Sequence, residues 1–312
     1  MTVIVVSGAS GLIGRALVDE LLAAGYAVRK LVRRTNTDSH GKWETSACDN
    51  ANAEQRVREY YWNPATGEID LKVFDTENQQ PVEAVICLNG AGIADKPWTR
   101  SRKHLLETSR IQPVRTLVKA FNALPETDRP RKFLSASAVG IYGANASNAN
   151  QELSETVATG TDFLAQLCRK WEAEANLAHE LGVQTINLRT GLVLAENGGL
   201  LKAFRTLYKY GLGAQLGDGE NWMPTIALKD YVRAVLHILK HSEISGSVNL
   251  VGPQPIKAKD LHARLAREMN RPKWLKIPQI LLNYAPEQVK LLALANQRVV
   301  PQKLLDTGFT FR

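Results

Sequence analysis

Val3-Ile4-Val5-Val6-Ser7-Gly8-Ala9-Ser10-Gly11-Leu12-Ile13-Gly14 opens the chain, and a stretch with helical periodicity, Arg15 to Ala24, follows it. The apolar run has strand character, and glycines at i, i+3 and i+6 lead into the helix from within the run. Backbone N–H groups and a helix N-terminus then converge where a dinucleotide pyrophosphate can sit. Gly8 is suited to the tight turn off the strand, Gly11 to close approach of backbone to phosphate, and Gly14 to close packing of helix on strand. Ser10, Leu12 and Ile13 complete the predicted cradle. Three glycines would also suit a plain turn, but a strand before and a helix after are the context that the motif requires.

Outward from this loop, Gly25 ends the helix and Ala27-Val28-Arg29-Lys30-Leu31-Val32 forms a second strand. It leads to Arg33-Arg34, roughly twenty residues beyond the glycines, where a carboxylate would bind a ribose 2′-hydroxyl. No acid stands there. Guanidinium groups bind a 2′-phosphate that a carboxylate would repel, so NADP(H) is the expected cofactor. The alternative for Arg33 and Arg34 is a pair of solvated charges at a strand end.

Residues 35–58 read as a polar loop, Glu59–Trp62 as a short strand, and Asn63-Pro64-Ala65-Thr66-Gly67 as a turn. Ala84–Leu88 forms a buried strand whose tip, Asn89-Gly90-Ala91-Gly92, is expected over the cofactor. Helix 102–124, strand 132–136, helix 163–181, strand 184–188, helix 229–241 and strand 247–251 follow. Such alternation gives an α/β fold, a Rossmann-type doubly wound parallel sheet. Residues 1–190, completed by about 228–252, form the expected NADP-binding domain. Residues 191–227 and 253–312 form a smaller C-terminal substrate-side domain, with a glycine-rich closing segment over 190–218 and two or three helices in the tail.

The 312 residues, 44% of them hydrophobic, suffice for such a core. No apolar run has the length of a membrane span, and the first residues read as a strand rather than a leader. Three cysteines, Cys48, Cys87 and Cys168, lack metal-ligand spacing and fit a reducing compartment, so no metal and a cytoplasmic location are expected. The net charge of +8 invites a nucleic-acid partner, but basic residues are scattered among acids and no nucleic-acid motif occurs. An anionic cofactor and a small-molecule substrate are the expected partners; the oligomeric state is left open.

The chain resembles the extended short-chain dehydrogenase/reductases, in which the Gly-x-x-Gly-x-x-Gly form occurs. Within them it is similar to an atypical, epimerase-like branch of the NAD-dependent epimerase/dehydratase family, whose members carry labels such as nucleoside-diphosphate-sugar epimerase or SulA-like cell-division inhibitor. The resemblance rests on Trp62-Asn63-Pro64, Leu88–Ile93, Trp98-Thr99 with Lys103, Ser109-Arg110-Ile111, Ser135–Gly143, Trp171-Glu172, Leu188–Leu194 and Gly198-Gly199. It continues through Gly246–Pro255, Arg271-Pro272, Gln297-Arg298-Val299 and Pro301–Leu305 with Gly308-Phe309, and so covers nearly the whole chain.

In ordinary members the resemblance implies a Ser or Thr after the 132–136 strand and a Tyr-x-x-x-Lys pair on the following long helix. A nearby ammonium lowers the tyrosine pKa, and the tyrosinate removes a hydroxyl proton as hydride moves. Here Leu164 and Cys168 stand at those two positions when Trp171-Glu172 sets the register, and residues 161–174 contain no tyrosine. Ser137 is the candidate serine, although counting back from Tyr142-Gly143 puts Ala138 at that position; the alternative for Ser137 is a strand-end hydroxyl bonded to backbone. Tyr142 and Lys103 are the substitute candidates, with a pocket wall and a solvated helix charge as their alternatives. Cys168 reads as packing, Tyr208, Lys209 and Tyr210 as surface, and Arg189 and Asp230 as members of structural pairs. In Asn221–Asp230, Thr225, Ala227 and Lys229 replace the Trp, His and Asp of the branch pattern, which weakens any substrate carried over from relatives. The sequence therefore points to an NADP(H)-binding oxidoreductase or epimerase-like enzyme for a small polar or nucleotide-linked substrate. The alternative is a non-catalytic NADP(H)-responsive binding or regulatory protein.

Overall fold

A computed structural model describes residues 1–33, 56–75, 81–144, 151–195, 198, 201, 208–209, 214–270, 275–282 and 284–312. Its centre is an eight-stranded sheet of β1 (Val3–Ser7), β2 (Ala27–Val32), β3 (Val57–Asn63), β4 (Glu68–Ile69), β5 (Ala84–Cys87), β6 (Lys132–Ala138), β7 (Gln184–Thr190) and β12 (Gly246–Leu250). The order is β12-β7-β6-β5-β1-β2-β3-β4, parallel throughout except for the antiparallel β3–β4 edge hairpin. Gly67, at φ +78°, closes that hairpin and donates its N–H to Asn63 O. Strand order reverses on either side of β1, as a doubly wound sheet requires.

Both faces of the sheet are covered, which is why β1 is an unbroken apolar run rather than an alternating one. Ile4 and Val6 pack on one side with Leu17 and Leu21 of α1 (Leu12–Ala23) and with Val235 and Ile238 of α4 (Leu228–Lys240). Val5 faces the other way, toward Val114 and Phe121 of α2 (Arg100–Ala123) and Trp171 of α3 (Phe163–Glu180). Thr99 and Asp162 cap α2 and α3 by accepting from the backbone N–H of Arg102 and Ala165.

The described parts of residues 190–218 hold regular strands as well as loop. β8 (Leu192–Ala195) pairs in parallel with β11 (Thr225–Ala227), β9 (Ala214–Leu216) in parallel with β14 (Leu275–Ile277), and β10 (Trp222–Met223) antiparallel with β13 (Ile256–Lys257). A smaller core of Tyr208, Met223, Leu261 and Leu265 sits beside them, the leucines coming from α5 (Ala258–Glu268). The expectation that Tyr208 lies on the surface is wrong: it is 3% exposed, and its hydroxyl is 2.9 Å from His262 Nδ1. Lys209 is exposed, and Tyr210 falls outside the described residues. The tail adds three short helices, α6 (Gln279–Leu282), α7 (Glu287–Ala293) and α8 (Gln302–Asp306).

Candidate functional site

The glycine loop leaves β1 at Gly8, whose φ of +76° favours a residue without Cβ. A Cβ there would also lie 2.9 Å from the Leu88 carbonyl, at the end of neighbouring β5. Gly14 is more tightly enclosed, since its Cβ would stand 2.2 Å from Gly8 O. Gly11 donates its N–H to Gly8 O at 3.1 Å and is the N-cap of α1, and among the described residues no side chain caps that helix. The first N–H groups of α1 therefore stay available to an anion, with the helix dipole in favour. Ser10 is exposed beside them, and Leu12 and Ile13 are half-buried. Gly198 returns over this point: a Cβ on it would lie 2.7 Å from Leu12 Cδ1.

Arg33 follows β2 and is exposed; Arg34 lies outside the described residues. Asn89, Gly90 and Ala91 follow β5 on the other side of β1. Ser109 and Arg110 of α2 hold this tip, Ser109 Oγ accepting from Ala91 N and Arg110 Nη2 donating to Ala91 O at 3.1 Å.

Ser137, near the end of β6, is buried and donates to Glu172 Oε1 at 2.7 Å. Glu172 on α3 makes a two-pronged ion pair with Arg189 of β7, Nε to Oε1 at 2.9 Å and Nη2 to Oε2 at 3.0 Å, and accepts from Ser247 of β12. Arg189 Nη1 donates to the Tyr142 hydroxyl at 3.0 Å, and Tyr142 in turn donates to Asn249 Oδ1 at 2.7 Å. Burial pushes the Tyr142 pKa up, against the pull of Arg189. Asn249 and Gln297 then bind the C-terminal segment in, Asn249 Nδ2 donating to Val300 O at 2.9 Å and Gln297 Nε2 to Gly143 O at 2.8 Å.

Ser137 and Tyr142 thus share one buried network, and both hydroxyls are engaged by internal partners. Lys103 is elsewhere, paired with Glu287 of α7 and 4.6 Å from the Phe163 ring centre. Leu164 and Cys168 both face the turn after β6, where a Cβ on Gly140 would meet Leu164 Cβ at 3.3 Å and Cys168 Sγ at 3.9 Å. Burial pushes the Cys168 thiol up to about 12, so it stays protonated at neutral pH. Asp230 pairs with Arg233 at 2.7 Å and accepts from the Arg312 N–H. The sequence reading singled out Ser137, Tyr142, Glu172, Arg189, Arg110 and Gln297 through candidates or motifs, but it missed Asn249 and the contacts that join these residues.

A cavity of about 650 Å³ opens beside Tyr142, lined also by Gly143, Leu153, Thr159 and Asp162. A second, about 1040 Å³, lies between Trp222 and α5 on the β8–β11 side. Lys257 and Arg298 lie over the Trp222 ring, 5.1 and 5.2 Å from its centre. Among the described residues no His, Cys, Asp and Glu cluster could hold a metal, and no helix is long and apolar enough to cross a membrane.

Residues 4–251 match the model of the NAD dependent epimerase/dehydratase family, and residues 277–312 match a domain of unknown function, DUF1731. Epimerase family protein ML0860 of Mycobacterium leprae is 36% identical over 310 residues, covering 99% of this chain and 91% of that protein. Human epimerase family protein SDR39U1 (isoform 2), solved with NADPH, superposes with a TM-score of 0.76 at 23% identity, over 99% of this chain and 95% of that one. The nucleoside-diphosphate sugar epimerase of Corynebacterium glutamicum gives a TM-score of 0.73 at 27% identity, over 100% of this chain and 55% of that one.

Proposed function

The chain belongs to the NAD-dependent epimerase/dehydratase family, and from that premise we propose that it binds NADP(H) and acts as an atypical oxidoreductase or epimerase-like enzyme on a small polar or nucleotide-linked substrate. One observation carries the cofactor reading: the uncapped N-terminus of α1, in a loop whose Gly8 and Gly14 leave no space for a Cβ, is shaped for a pyrophosphate. Gly8, Ser10, Gly11, Leu12, Ile13 and Gly14 would hold the phosphates, Arg33 and Arg34 the 2′-phosphate, and Asn89–Ala91 the part that crosses β5. Bound there, NADP(H) supplies a hydride acceptor or donor. Cytoplasmic location forms part of the same proposal.

Both arginines replaced together, Arg33→Ala with Arg34→Ala, should weaken NADPH at least about tenfold, or about 1.4 kcal/mol, and NADH far less. Equal losses for the two cofactors, measured by fluorescence titration, would remove the 2′-phosphate assignment.

A second reading, a non-catalytic NADP(H)-responsive protein, is favoured by the engagement of Ser137, Tyr142 and Lys103 with internal partners. Incubation with NADPH and a panel of carbonyl compounds and sugar nucleotides separates the two. Turnover supports the enzyme; tight NADPH binding with an inert panel supports the sensor.

A further inference from the structure

The sheet order sets the direction of a bound dinucleotide. β2, leading to Arg33, lies on one side of β1, and β5 and β6 lie on the other. With the 2′-phosphate at Arg33 and the pyrophosphate at α1, the nicotinamide half must run over the ends of β5 and β6, past Gly90. Gly90 is exposed, and a Cβ on it would come within 3.3 Å of Arg110 Cζ, so residue 90 itself puts no side chain between that guanidinium and the crevice.

Arg110 is an uncompensated charge. Its Nη1 and Nη2 donate to the carbonyls of Leu106 and Ala91, its Cζ lies 5.3 Å from the Trp171 ring centre, and no carboxylate pairs with it among the described residues. Two of its five N–H groups are thereby accounted for. The neighbouring Cys168 stays a neutral thiol, because burial raises its pKa to about 12. Burial, reinforced by nearby Arg102, lowers the Arg110 pKa, yet a guanidinium keeps its proton in proteins.

Arg102 adds a second cation. One Nη donates to Gly92 O, its Nε is buried without a partner among the described residues, and its side chain is only 10% exposed. Asp95, 3.9 Å away, is 69% exposed and screened by water. Lys103, by contrast, is in direct contact with the carboxylate of Glu287.

We propose that Arg110, assisted by Arg102, makes this site select the reduced cofactor, NADPH, over NADP⁺. The oxidised nicotinamide ring carries a positive charge and the reduced ring carries none, so an unpaired guanidinium beside it penalises the oxidised form alone. The inference rests on the NADP(H) reading above and assigns Arg110 a specificity role, not proton transfer.

The test compares Kd for NADPH and NADP⁺ on the full chain by calorimetry, without any substrate. The two ligands share the adenosine end, so the ratio isolates the ring. The unaltered chain should prefer NADPH. Arg110→Met should cut that preference about tenfold, equivalent to about 30 mV in the potential of the bound couple. Arg110→Lys should keep it, and Arg102→Met should move it the same way by about threefold. Arg115→Met, on the same helix but paired with Glu174, should leave it unchanged. If both ligands bind and the ratio stays within about twofold in Arg110→Met and Arg102→Met, the inference falls while the cofactor reading stands. If neither ligand binds the unaltered chain, both fall. Should Arg110→Met not fold, Arg102→Met decides alone, an unchanged ratio overturning the inference.

Discussion

Replacing Glu172 by Gln keeps the shape of the side chain and removes its charge from the centre of the buried network. Arg189 is 8% exposed at its side chain and Glu172 9%, so water cannot replace the missing partner. Glu172 accepts from Ser137, Ser247 and two Arg189 nitrogens, and one amide oxygen cannot serve all four donors. Breaking a buried pair from one side costs about 3–5 kcal/mol, because the remaining charge stays buried. Unfolding entropy of about 2.1 cal/mol/K per residue over 312 residues gives about 0.65 kcal/mol per kelvin if the chain unfolds as one unit. The expected fall in Tm is therefore about 5–8 °C, read by calorimetry. The double variant Glu172→Met with Arg189→Met should recover much of it, since neither charge is then left alone. A loss below about 1 °C in Glu172→Gln, or a double variant worse than the sum of the singles, would refute the argument.

Gly14→Ala should abolish NADPH binding and destabilise the chain, because its Cβ would meet Gly8 O at 2.2 Å with only backbone to yield; Gly25→Ala, at φ +89° with no described atom within 4 Å, should cost about 1–2 kcal/mol and leave titrated affinity intact. Burial lowers the His262 pKa, so the unfolded chain takes up this proton more readily; the stability His262 gives as a neutral ring is complete above its unfolded pKa and is lost as pH falls through the folded one. His262→Gln should therefore flatten the decline in Tm between about pH 7 and pH 5, and a parallel decline in both proteins would show that His262 does not contribute.

The parallel sheet and the glycine cradle were legible because their signals are local. In β1 and α1, apolar run, turn glycines and helical period all lie within one short stretch, and the helix at 163–180 declares itself by its own period. The short strand pairs beyond β7 carry no such signal. β8 and β11 have four and three residues, and β14 and β9 three each, so pairing depends on partners distant in sequence. Tyr208 shows the same limit: in a glycine-rich polar stretch it reads as surface, and the His262 that buries it lies 54 residues away.

Charges behave likewise, since a sequence shows a charge but not its compensation. Lys103 and Arg110 are both helix cations at first sight, yet one is answered by Glu287, far along the chain, and the other, among the described residues, by two backbone carbonyls and the Trp171 ring. That difference, rather than residue type, separates a tether for α7 from a charge left to act on a ligand. Ser137 and Tyr142 are held in the same way. Their hydroxyls support the Glu172–Arg189 pair and Asn249, so Ser137→Ala or Tyr142→Phe disturbs packing as well as any chemistry. Lost turnover in either variant identifies a catalytic group only if Tm and NADPH affinity are unchanged.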